Sequence, residues 1–144
     1  MPFFFWPDKY YILLVIPAML VAFWAQVRVK SAFAQYSQVS LFSGLTGAQA
    51  ARRILDANGL SHVRIEMVPG SLSDHYDPSA QVVRLSQDVY SRSTVAAVGV
   101  AAHETGHAIQ HSVGYAPLTI RNAIIPLTNI GSGLSIPLIV LGII

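Results

Sequence analysis

Hydrophobic and polar positions follow different rhythms along the chain. Residues 10–27, YYILLVIPAMLVAFWAQV, run for 18 positions without Lys, Arg, Asp or Glu, and residues 122–144, NAIIPLTNIGSGLSIPLIVLGII, run for 23. A helix needs about 20 mostly apolar residues to cross a bilayer, so each run predicts a transmembrane helix. Pro126, Gly131, Gly133 and Pro137 interrupt the second run, and membrane helices tolerate such residues better than soluble ones. The aromatic cluster Phe3, Phe4, Phe5 and Trp6, with Tyr10 and Tyr11, fits an interfacial belt at the start of the first span.

Between the two runs the periods shorten and mix. LTGAQAARRILDANGL (45–60) carries a helical stripe of Ala48, Ala51, Ile54 and Leu55, a capping Thr46 and a left-handed stop at Asn58-Gly59. In SHVRIEMVPG (61–70), Val63, Ile65 and Met67 alternate with Arg64 and Glu66, the period of a half-buried strand ended by Pro69-Gly70. LSDHYDPSAQVVRLS (72–86) reads as two extended pieces around the turn Asp77-Pro78-Ser79, with AQVVRLS either an edge strand leading towards the next helix or part of a hairpin that covers it. The stretch 88–114 then turns helical, capped by Ser91 or Ser93 and stopped by Gly114. The fold class is α+β: helices plus a small antiparallel sheet at 28–121, between transmembrane helices at 10–27 and 122–144, after a short N-terminal segment at 1–9.

Charge orients this arrangement. Only 11% of residues are charged against 53% hydrophobic, and a net charge of +2 is too small to suggest nucleic acid. Arg28, Lys30 and Arg121 flank the central segment, against Lys9 on the other side of the first span, so positive-inside counting places 28–121 in the cytoplasm. A small-x-small pattern, Ala32-Phe33-Ala34, follows the first run. Arg28 and Lys30 lie before it, where a signal peptide should be neutral, so the run reads as a retained anchor. The absence of cysteine agrees with either side of the membrane. The chain stops within the apolar PLIVLGII, as expected for a fragment of a longer protein. Arg52 and Arg53 read as a solvated helix face.

Candidate chemistry lies in AAHETGHAIQH (101–111). Side chains four apart project from one helix face, so His103 and His107 can present imidazole nitrogens to one Zn²⁺. Glu104 is rotated by about 100° from His103 and can reach a water on that ion without being a ligand. This is the chemistry of His-Glu-x-x-His, in which zinc acidifies a water and the glutamate takes its proton as general base. No charged residue lies between Ser93 and Ala102, and buried polar side chains in such a helix need a partner.

Three segments, TGAQAARRILDANGL, LSDHYDPSAQVVRLS and VAAHETGHAIQH, taken in order, resemble the bacterial membrane-bound neutral zinc metallopeptidases of the YugP type. The resemblance implies a zincin-like endopeptidase domain at 28–121 in the bacterial cytoplasmic membrane, acting on peptide or protein substrates, membrane proteins among them. It matches His103 and His107 to the zinc ligands and Glu104 to the catalytic base. It also suggests a relation to the gluzincin-like membrane proteases, where the third ligand is an acidic residue on a later helix.

This chain departs from that pattern, because no Asp or Glu follows Glu104. His111 stands two turns from His103, about 12 Å at 1.5 Å per residue, too far to share one ion. The spaced-histidine alternative would need glycine and histidine where Gln110 and Val113 stand. His75 could reach the site from its loop, or serve as a turn or strand contact beside Asp74 and Asp77. His62 reads as a surface residue. A glutamate beyond residue 144 is the expected third ligand, and the competing functional class is a catalytically silent membrane scaffold or metal-binding protein.

Overall fold

A computed structural model describes residues 9–143. The aromatic cluster at 3–6 and almost all of the segment 1–9 lie outside the described residues. The elements are α1 (Lys9–Tyr36), α2 (Gly47–Ala57), β1 (Arg64–Val68), β2 (His75–Asp77), β3 (Val82–Ser86), α3 (Gln87–Ser91), α4 (Val95–Ser112) and α5 (Ala116–Ile143). The architecture is α+β, with a three-stranded sheet packed among the short helices and a long helix at each end.

The end helices are not core helices. Leu13, Leu20 and Trp24 of α1, and Leu127, Ile136 and Leu138 of α5, are exposed over most of their surface. Within them, Ile12–Tyr36 and Ala116–Gly142 are long and apolar enough to cross a membrane. Helix α1 continues past the expected boundary at 27 to Tyr36, which carries Arg28 and Lys30 inside the same helix. The segment that follows α1 is tied to the start of α4 by Val95 N donating to Val39 O at 3.0 Å, Leu41 N donating to Ser93 O at 3.0 Å, and a Ser40–Thr94 bridge.

Local signals fix α2 at both ends. Thr46 Oγ1 accepts from Gln49 N at 3.3 Å while Gln49 Oε1 accepts from Thr46 N at 3.1 Å, a reciprocal capping box. At the other end Gly59, at φ 73°, donates to Asp56 O, and Leu60 N donates back to Leu55 O at 2.9 Å. Leu55 and Leu60 are both buried in the core that this stop closes. Arg53 is exposed, as its position on the helix suggested, whereas Arg52 is half-buried. Its guanidinium donates to the Val63 and Leu60 carbonyls at 2.8 and 3.1 Å and so binds the following loop to α2.

The sheet departs from the expectation in two respects. Its order is β1-β3-β2, with β1 parallel to β3 and only β2 antiparallel to β3, so the sheet is mixed. Consequently AQVVRLS is the central strand and the short β2 is an edge. Val82, Val83, Leu85 and Ser86 are all buried, as a strand covered on both faces requires. In β1, Met67 points to solvent at 55% exposure, so the inward alternation fails there. The turn at Asp77 is as read: Asp77 Oδ1 accepts from Ser79 N at 2.9 Å and from Ala80 N at 3.1 Å. Asp74 instead holds the far end of β3, accepting from Ser86 N at 2.7 Å.

The stretch 88–114 holds most of one short helix and all of one long helix. After the short α3, the chain extends through Arg92 before Thr94 caps α4, accepting from Ala97 N at 3.2 Å, so the cap is neither Ser91 nor Ser93. Gly114, at φ 62°, supplies the expected stop. Helix α2 approaches closely through Gly47, where an added Cβ would fall 2.1 Å from Val89 O and 3.0 Å from Ala97 O. The core then joins Ala51, Leu55, Val83, Leu85, Val89, Ala101 and Ala108, so the small residues of α4 seat it against α2 and the sheet.

Candidate active site

Ala101, Thr105 and Ala108 turn inward on α4, which leaves His103 exposed, His107 half-buried and Glu104 buried between the helix and the sheet edge. Thr105 is satisfied within the helix, donating to the Ala101 and Ala102 carbonyls at 3.0 and 2.9 Å. Glu104 is the one Asp, Glu, Lys or Arg side chain buried among the described residues, at 9% exposure. A buried carboxylate needs hydrogen-bond donors, and one comes from β2: Tyr76 N donates to Glu104 Oε2 at 3.1 Å.

The two histidines meet as the helical spacing requires. Their ring centroids are 4.7 Å apart, at an interplanar angle of 77°. Two imidazoles on one tetrahedral zinc, at Zn–N of about 2.0–2.1 Å, place their ring centres roughly 5 Å apart. The pair therefore fits two zinc ligands. His107 Nδ1 lies 3.0 Å from Gln110 Oε1, and an amide oxygen can only accept. The contact suits the tautomer with the proton on Nδ1 and the lone pair on Nε2, the form that ligates a metal.

The remaining candidates are placed elsewhere. His75 is exposed at the start of β2, with Nδ1 2.8 Å from Ser73 O. His111 Nδ1 lies 3.1 Å from the Tyr76 hydroxyl, and their ring centroids are 5.8 Å apart. His62 is exposed. Among the described residues no third His, Asp or Glu gathers with His103 and His107 into a metal-binding group. Burial, and then the negative charge of Asp77, raise the Tyr76 phenol above its ordinary value, so it stays a protonated hydroxyl at neutral pH.

His103 and Glu104 line an open recess of about 340 Å³ with Asp74, Leu72 and Gly99. An apolar recess of about 410 Å³ continues from it between α1 and α4, sharing Val29, Leu72, Gly99 and Val100 and reaching Phe33 and Tyr36. Tyr76 and Gln110 carry no motif of their own. Gln110 could have been found from its position three residues after His107, whereas the Tyr76 contact is made by a peptide N–H and leaves no trace in side-chain pattern.

Residues 11–144 match the family described as "Putative neutral zinc metallopeptidase". A relative from Bacillus subtilis (strain 168), "Putative membrane protease YugP", is 52% identical over 132 residues, which cover 92% of this chain and 58% of the relative. The chain thus spans little more than half the length of that relative. No solved structure matches it.

Proposed function

The chain belongs to the family of "putative neutral zinc metallopeptidases", and from that premise we propose that it is a membrane-anchored, zinc-dependent endopeptidase. The observation that carries the reading is the packing of His103 against His107, with His107 Nδ1 3.0 Å from Gln110 Oε1 and Glu104 following His103 in sequence. A zinc ion held by the two Nε2 atoms would acidify a water and polarise the scissile carbonyl. Glu104 is the general base. With Oε2 held by Tyr76 N–H, Oε1 takes the proton from the attacking water and then delivers it to the leaving amine.

The substrate is a peptide, with an apolar side chain entering the recess over Gly99. The flanking spans lie in the bacterial cytoplasmic membrane. Residues 28–121 face the cytoplasm on the charge asymmetry of Arg28, Lys30 and Arg121 against Lys9. A catalytic zinc site normally has three protein ligands. We assign the third to an acidic residue beyond residue 144, and the greater length of the Bacillus relative is compatible with that assignment.

The two-histidine set among the described residues also fits a catalytically silent metal-binding scaffold. Elemental analysis together with a peptide-cleavage assay on the full-length protein separates the readings. The peptidase reading expects about one zinc per chain, lost with activity in His103→Ala and His107→Ala. Zinc retained in those variants, or bound zinc with no cleavage, would rule it out.

A further inference from the structure

Building on the proposed role of Glu104, we infer that Tyr76 is the residue that positions it: the edge strand β2 grips the catalytic helix at two points through this one side chain and its peptide. Tyr76 is opposite Val83 in the antiparallel pairing. In such a ladder a residue directs its N–H and C=O to the same side. The N–H of Tyr76 goes to Glu104 Oε2 at 3.1 Å, so this peptide faces α4 and not β3. The side chain runs along the same helix until its hydroxyl meets His111 Nδ1 at 3.1 Å.

Glu104, Ala108 and His111 stand at i, i+4 and i+7, one stripe of α4. His103 and His107 form the neighbouring stripe. The two grips are seven residues apart, about 10 Å along the axis, and His107 lies in the interval between them. Ala108, between the two grips on the stripe, is buried, and Tyr76 packs against the core cluster that contains it. The His111 contact thus fixes the register of β2 on α4, and the register sets where the Tyr76 N–H meets the carboxylate. A charge-assisted hydrogen bond to a buried carboxylate is among the stronger neutral-donor contacts. It holds one oxygen in place and leaves the other for the proton.

Two measurements test this, and the first is independent of catalysis. Amide hydrogen exchange at Tyr76 should be slow, although this N–H lies outside the sheet ladder. In Glu104→Ala it should quicken at least tenfold while the β3 amides keep their rates. Equal Tyr76 exchange in both proteins would overturn the contact. The second is kinetic, on the full-length zinc-loaded protein. Replacing Tyr76 by its α-hydroxy acid keeps the ring and the hydroxyl, removes the N–H and leaves the His75 carbonyl a weaker acceptor. kcat should fall by about tenfold or more, since small misplacements of catalytic groups cost on that order, with KM and zinc content unchanged. Tyr76→Phe should lower kcat less, and should add nothing to His111→Phe. Unchanged kcat in the hydroxy-acid variant, or a loss that merely follows lost zinc, would refute the positioning role. A slow Tyr76 amide that depends on Glu104 in a protein that cleaves nothing would leave the contact standing and remove the peptidase reading beneath it.

Discussion

His107 Nδ1 lies 3.0 Å from Gln110 Oε1, one turn further along α4, and an amide oxygen there calls for the proton on Nδ1. The bond selects the tautomer whose Nε2 carries the lone pair, and it orients the ring. Partners of this kind typically contribute 10–100-fold in metal affinity. Gln110→Leu in the full-length protein should therefore bind zinc about 10- to 100-fold more weakly with helix content unchanged. Titration against a zinc chelator measures it, and unaltered affinity would remove Gln110 from the site.

Gly99 borders both the recess at His103 and the apolar recess beside α1, and an added Cβ there meets nothing within 4 Å. Gly99→Leu should fold normally, because leucine is the better helix former by roughly 1 kcal/mol. The new side chain would occupy the shared wall of the recess. KM should rise for peptides with a bulky apolar residue near the scissile bond and stay constant for those with alanine there. A rise equal for both peptides would show that this recess does not receive the side chain.

Arg84 donates to Asp77 Oδ2 at 2.7 Å, and this contact, with the Ala80 and Ser79 peptide donors, holds the Asp77 carboxyl below its ordinary value. A group whose folded-state pKa is depressed stabilises the fold above its unfolded value, and that stability is lost as pH falls through the folded value. Wild type should therefore exceed Asp77→Asn in thermal stability at neutral pH. The gap should close as pH falls below about 3.9. A gap that is constant with pH would assign Asp77 no electrostatic role in the β2–β3 turn.

A reporter inserted near Ser71, in the loop before β2, reads the orientation. Activity on the cytoplasmic side is expected from Arg28, Lys30 and Arg121. Activity confined to the outer side would invert the topology.

What the sequence discloses follows the range of the forces involved. Helix α2 was readable end to end because its determinants, Thr46 with Gln49 and Asn58 with Gly59, are within one turn of its ends. That His103 and His107 share one face of α4 was readable for the same reason, since four residues on a helix fix their relation. The pairing of β1 with β3 was not, because parallel neighbours are chosen by packing and not by an adjoining turn. One sign of the central strand was present: Val82, Val83 and Leu85 nearly remove the alternation that a half-exposed edge would show. Ser91 and Ser93 were the expected caps of α4, and Thr94, which no local pattern singled out, takes that place. The bridge from Ser40 to Thr94 and the bond from Leu41 to Ser93 are tertiary contacts no local pattern carries. The Tyr76 N–H reaches Glu104 across 28 residues.

The most direct test of the central claim is the peptide-cleavage rate of Glu104→Gln against wild type, both full-length and matched in zinc content. Glutamine keeps the size of the side chain and an oxygen for the Tyr76 N–H but cannot take a proton. The account predicts equal zinc and a rate lower by about 10²–10⁴. A variant that cleaves as fast as wild type at equal zinc would contradict it.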